Sequence, residues 1–346
     1  MSMAAPDPAP TSEQVRIVRA VTDWYLRIHH ARSDAPGAAA MFCDPEIVGP
    51  FAVNREAIVA GDGAALFRML VATAMFQRRQ DQQILRILRG ISPTAAQEIT
   101  DLARLAGLAG DSPCPHLKTA ESLRERCDLT KDPTTGLGAC AERPAEPCHL
   151  KRHTVTLKRY GHFGKMPTSV ALSIKESGAR DLSDLVVRVL GAHRTRLARG
   201  IALEAALSAA WRVSQKIASM FLSALTNPDL SPGCTVPWAT RVDWTYFIVV
   251  DSNVDLLLAS IGYAGRGTYD ARRDFIRALA VRIDLRVLDG RLRSFNPRII
   301  QQAMYLFMSV INRGALPDDC SHLGAAACRR CPPTLAGRCA LRKGPT

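Results

Sequence analysis

Apolar residues recur every three to four positions in one segment of this chain after another, the signature of helices that bury one face. Over residues 11 to 31 the stripe is Val15, Ile17, Val18, Val21, Trp24, Tyr25 and Ile28. Over 64 to 89 a strongly apolar run ends at Phe76, a polar stretch from Gln77 to Asp81 follows, and Ile84 to Leu88 resumes the pattern, which predicts helix, turn, helix. Ser92-Pro93-Thr94 starts a further helix expected to run to 108, and residues 170 to 210 predict two or three more. Residues 269 to 284 read as helix, and Asn296-Pro297 opens a strong one with Ile299, Ile300, Ala303, Met304, Phe307 and Met308 on one face. Residues 32 to 63 and 109 to 150 are Gly/Pro-interrupted and predict no long element.

Two helix starts carry candidate chemistry. After Lys216, the residues Ile217, Met220, Phe221 and Leu225 form a buried face; after Asp251, Val254, Leu257, Leu258 and Ile261 do the same. Asp251 follows the apolar run Phe247 to Val250, and its carboxylate suits a helix N-terminus, where it accepts first-turn amides and meets the positive end of the dipole. Lys216 lies 35 positions earlier. Between them, Asn227-Pro228, Ser231-Pro232-Gly233 and Pro237-Trp238 read as an inserted loop. The bland readings are a phosphate-binding or snorkelling lysine and a purely structural helix cap.

Composition narrows the partner. The 346 residues carry a formal net charge of +13, which favours a polyanion, nucleic acid ahead of a membrane surface. Six Lys/Arg face one acid between Arg188 and Lys216, and residues 151 to 165 hold five Lys/Arg, no acid, and the aromatics Tyr160 and Phe163. Such a mixture can neutralise phosphates and stack on an unpaired base, or it can be an ordinary solvated loop. No apolar run reaches the roughly 18 residues of a membrane span, and the Ala/Pro-rich start lacks a basic-then-apolar signal, so a soluble, cytoplasmic, nucleoid-associated monomer is expected.

Ten cysteines in such a protein point to metal before disulfides. Cys320, Cys328, Cys331 and Cys339 are spaced C-x7-C-x2-C-x7-C in a Gly/Pro/Arg-rich tail, and four close thiolates with no large core around them need a cation, either zinc or an iron–sulfur cluster. Cys114, Cys127, Cys140 and Cys148, with twelve, twelve and seven residues between them, contain no C-x-x-C knuckle, so zinc ligands and unligated core thiols both stay open.

Three motifs in one order, the Gln77 turn, the Lys216/Asp251 pair and the Cys320 to Cys339 quartet, resemble the helix-hairpin-helix DNA glycosylases of the endonuclease III type. Val213, Lys216 and Ala218 match that family's hairpin, and Val250, Asp251 and Val254 match its aspartate segment. Two departures stand out. Trp211-Arg212-Val213-Ser214 lacks the hairpin glycines, and the lysine–aspartate gap is about twice the family's. The resemblance implies an all-α, two-lobed helix-hairpin-helix DNA glycosylase fold with a C-terminal [4Fe-4S] cluster loop. Residues 1–61 would pack with a C-terminal lobe of 237–346, and 62–236 would form a multi-helix barrel with an insertion at about 109–165. DNA would bind across the cleft where Lys216 and Asp251 meet. The implied partner is double-stranded DNA with a damaged, modified or abasic nucleotide. The implied activity is base excision, with AP-lyase chemistry if Lys216 is the nucleophile and Asp251 the stabilising carboxylate. The alternatives are a monofunctional glycosylase using Asp251 and water, or a non-catalytic DNA binder of the same fold. Gln77 takes the role of a wedge in the space of the flipped base, against the alternative of a solvated polar turn. Arg78, Arg212, Ser214, Gln215, Lys158, Arg159 and Tyr160 are the expected DNA contacts, and Cys320, Cys328, Cys331 and Cys339 the cluster ligands.

Overall fold

Helix starts in this chain are set largely by side-chain caps. In a computed structural model describing residues 8–30, 37–77, 80–131, 138–153 and 164–342, Asp62, Asp181, Thr195, Asp251, Thr268 and Asn296 each accept a first-turn amide of the helix they open. The described residues are mostly helical, with one two-stranded antiparallel ribbon, Leu129–Lys131 against Gly138–Cys140. The chain divides into two compact units, one of residues 1–36 and 247–346, the other of 37–246. Residues 37–61, placed with the N-terminal segment by the sequence reading, fall in the second unit, as do residues 237–246.

In the unit formed by the two chain ends, the helix Pro297–Met308 is central. Ser12–Tyr25, Ser252–Ser260 and Tyr269–Val281 all pack against it, and Ile299, Ile300, Ala303, Met304 and Phe307 are buried as its apolar face required. The helix Ser12–Tyr25 opens on a reciprocal capping box between Thr11 and Gln14. It widens into a π turn at Leu26–His30, within which His29 meets Asp319 at 3.1 Å.

In the other unit the helix Gly63–Ala74 is buried on nearly every side, with Leu66, Phe67, Met69, Leu70, Val71 and Ala72 all in the core. Leu182–Ala192 and Gln215–Thr226 pack on it, as does Pro93–Thr100. The single helix expected from 93 to 108 is two helices, Pro93–Thr100 and Leu102–Asp111. Asp101 breaks it: its backbone is extended and its carboxylate caps the second helix at the Arg104 amide.

A buried carboxylate ties three elements of this unit together. Glu204, on the helix Arg196–Ser208, is 2% exposed. It accepts hydrogen bonds from the Ser219 hydroxyl at 2.5 Å, on the helix Gln215–Thr226, and from the Tyr246 hydroxyl at 3.1 Å. Replacing Glu204 with alanine removes the shared acceptor of both hydroxyls, and the expected loss in urea unfolding is about 2–3 kcal/mol. A change within about 0.5 kcal/mol, the range of an ordinary surface substitution, would refute this role.

Candidate functional site

The sequence-predicted residues fall in two regions, one in each unit. In unit 37–246 the helices Arg196–Ser208 and Gln215–Thr226 pack together and are joined by the short turn 209–214. Val213, Ile217 and Ala218 are buried, which anchors the turn and the start of the second helix. Lys216 is the second residue of that helix and is half-buried; Ser214 is exposed and Gln215 half-buried beside it. Ser214 stands at the N-cap position but places no side-chain oxygen on the first-turn amides.

Arg212 is exposed, with φ +64°, the one non-glycine residue in the left-handed region among the described residues. That conformation costs an L-residue about 1–2 kcal/mol and belongs by preference to glycine. The turn therefore keeps a glycine-like backbone without a glycine. Gln77 is held against it, donating from Nε2 to the Arg212 carbonyl at 3.0 Å and to the Ala74 carbonyl at 2.7 Å. The Gln77 turn and the Lys216 turn, 135 residues apart for the Gln77–Arg212 bond, are one piece of surface. Trp211 completes it. Its amide donates to the Ser169 hydroxyl at 2.8 Å, and its ring has the Arg212 guanidinium 5.1 Å and the Lys165 ammonium 4.6 Å from its centre.

Lys165 was not singled out from sequence, and the only signal was its place at the end of a basic run. It is 3% exposed, donates to the Cys127 carbonyl at 2.7 Å, and burial pushes its pKa down. The six basic residues between Arg188 and Lys216 do not act as one face. Arg188 pairs with Asp184 at 3.3 Å, and Arg199 binds the carbonyls of Leu190 and His193 at 3.0 and 2.9 Å. Arg194, Arg196 and Arg212 are exposed. Arg78, Lys158, Arg159 and Tyr160 lie outside the described residues.

In the other unit, Asp251 caps Ser252–Ser260, its Oδ1 accepting the Asn253 and Val254 amides at 3.0 Å each. The buried approach Phe247 to Val250 is braced by Tyr269. Its hydroxyl donates to the Ile248 carbonyl at 2.7 Å and accepts the Val250 amide at 3.2 Å. Arg298 stands in the same neighbourhood. Burial pushes its pKa down to about 10, against the opposing pull of Tyr25, Tyr269, Asp251 and Tyr305. Its guanidinium donates to Gln301 and, at 2.7 Å, to Gln302. Sequence reasoning missed both Tyr269 and Arg298. The available signal was a lone arginine followed by two glutamines in an otherwise apolar helix.

The four tail cysteines are half-buried around an ion pair. Arg313 and Asp319 are 1% and 0% exposed and meet at 2.9 Å. The Arg313 guanidinium also reaches the sulfurs of Cys339 and Cys320 at 3.5 and 3.6 Å, and the Trp24 indole N–H points at Cys320 at 3.5 Å. Burial pushes the Cys331 thiol up, and Cys339, Cys320 and Cys328 add to it, so the four sulfurs share one neighbourhood. Among the described residues no group of three His, Cys, Asp or Glu side chains stands ready to hold a metal ion. The donor set nonetheless fits a [4Fe-4S] cluster: four thiols with a guanidinium and an indole N–H aimed at their sulfurs, which is what a thiolate-bound anionic group requires. No described helix is long and apolar enough to cross a membrane.

No protein-family model, curated protein or solved structure matches this chain.

Arg212→Gly separates the backbone of the turn from its charge. We expect stability to rise by about 1 kcal/mol in denaturant unfolding as the strained φ is relieved. Loss of stability on this substitution would contradict this reading of the turn.

Proposed function

We propose that this protein is a DNA glycosylase with AP-lyase activity, acting on duplex DNA that contains a damaged or modified base. The observation that carries the reading is the turn between Arg196–Ser208 and Gln215–Thr226. Its backbone takes a glycine-like conformation at Arg212, it accepts the Gln77 side chain, and it delivers Lys216 at the head of the next helix. A helix start whose N-cap side chain leaves the first-turn amides alone can receive a DNA phosphate. Exposed Arg212 on the same turn adds to the sequence-independent part of the affinity.

The chemistry follows from the two residue types. A glycosidic bond inside a duplex is shielded, so the nucleotide has to leave the stack, and Gln77, held at the turn, fills the vacated space. As the C1′–N bond breaks, the base departs with the bonding electrons and positive charge develops on the sugar. A carboxylate fixed in orientation by two backbone amides, as Asp251 is, stabilises that charge without having to reorganise. The Lys216 amine, unprotonated, forms the new bond to C1′. Loss of a proton and ring opening give an imine, and abstraction of a C2′ proton expels the 3′ phosphate. Tyr269 positions Asp251 by bracing residues 248 to 250. Cys320, Cys328, Cys331 and Cys339 would hold a [4Fe-4S] cluster whose contribution, when bound, is to cross-link the tail around Arg313.

Asp251→Asn keeps an acceptor oxygen for the helix start and removes the charge. In single-turnover assays over a panel of lesion-bearing duplexes, the wild type should release one class of base and the variant should be slower by at least about 100-fold, with the same affinity for the duplex. A wild type that binds DNA and releases no base from any member of the panel would sink the proposal.

A further inference from the structure

The insertion between the helices Leu102–Asp111 and Lys165–Glu176 contains four cysteines that the proposed glycosylase reading does not use, and each comes from a different piece of chain. Cys114 precedes the 3-10 turn Pro115–Leu117, Cys127 follows the helix Ala120–Arg126, Cys140 ends the ribbon, and Cys148 precedes the helix His149–His153. Local pairing folds these pieces back on one another. The ribbon register sets Cys140 opposite Leu129, two residues after Cys127. His116 meets Glu142 at 2.6 Å, which ties the segment after Cys114 to the segment after Cys140. The Lys151 ammonium donates to the carbonyls of Arg143, Pro144 and Glu146 at 3.0, 2.9 and 2.7 Å, which folds the loop before Cys148 onto the helix after it. Cys114, Cys127 and Cys148 pack against one small core made of Ala109, Leu117, Ala120, Leu123, Leu129, Leu150 and Leu172.

We propose that Cys114, Cys127, Cys140 and Cys148 form a tetrathiolate zinc site, separate from the tail cysteines, that holds the insertion folded.

Proximity, charge and core size support it. Lys165, Cys148, Cys114 and Cys140 all lie close enough to act electrostatically on the Cys127 sulfur, although as free thiols no three of the described side chains stand ready to hold an ion. The Leu150 and Lys151 backbone amides face the Cys148 sulfur, the arrangement of N–H donors that a metal-bound sulfur uses. Four thiolates on one Zn²⁺ leave two negative charges, and cations are already in place: Lys165 beside Cys127 and Arg143 beside Cys114. The sulfurs stand here as free thiols. Zn²⁺ would replace their protons and draw them to bonding distance. Seven small or medium apolar residues are a thin core for two short strands and several turns, the situation in which a structural zinc supplies folding free energy outright.

The test is the metal content of the full-length protein purified without chelator, wild type against two double variants. The wild type should carry about one zinc per chain. Cys127→Ser with Cys148→Ser should lose that zinc and leave the iron content unchanged; Cys328→Ser with Cys331→Ser should keep the zinc. Absence of stoichiometric zinc from the wild type, loss of zinc in the tail variant, or loss of iron in the insertion variant would each overturn the proposal. Should the insertion variant fail to fold, cobalt-substituted tail variant decides: tetrahedral d–d bands with sulfur-to-cobalt charge transfer support the site, and their absence removes it.

Discussion

A single buried carboxylate holds together the part of this protein on which the functional reading depends. Glu204 accepts hydrogen bonds from the Ser219 and Tyr246 hydroxyls, and so joins both helices of the Lys216 turn to the segment that closes their unit. Burying a charge costs free energy unless its lone pairs are occupied, so this carboxylate constrains where its partners can sit. The turn between the two helices then has few conformations open to it. One of them puts Arg212 in the left-handed region, and the hydrogen bond from Gln77 to the Arg212 carbonyl holds it there. Local strain is tolerated because the surroundings over-determine the turn.

The unit built from the two chain ends uses the same device with a complete ion pair. Arg313 and Asp319 are both out of water. Burial works against the charge on each, yet their pairing, with His29 and the Ser321 amide also on the carboxylate, holds the Asp319 carboxyl well below the usual carboxylate range. A group with a lowered folded-state pKa stabilises the fold above its unfolded value and loses that contribution only as pH falls through the folded one. The pair is therefore charged across the neutral range, with its guanidinium facing Cys339 and Cys320. The tail is organised by an arginine before any metal enters the account.

Much of this was legible in the sequence because it depends on local rules. Asp251 and Asn296 were readable as helix starters, and the apolar face of Pro297–Met308 was readable from its spacing. Other features were not, for reasons that are equally physical. The break at Asp101 depends on a side chain choosing to cap rather than continue a helix, which periodicity does not encode. Tyr269 and Arg298 gain their meaning only from chain segments that pack near Asp251. The 209–214 turn holds a left-handed residue, and nothing in Trp211-Arg212-Val213-Ser214 announces that an arginine would adopt it. The insertion cysteines carry no knuckle, so their grouping appears only once the ribbon register and the His116–Glu142 contact are known.

The central claim is that Lys216 is the nucleophile, and borohydride trapping on a duplex with one abasic site tests it most directly. The account predicts a covalent protein–DNA adduct with the wild type and none with Lys216→Ala, the variant still binding the duplex. An adduct of undiminished yield in Lys216→Ala, or no adduct with the wild type, would contradict it.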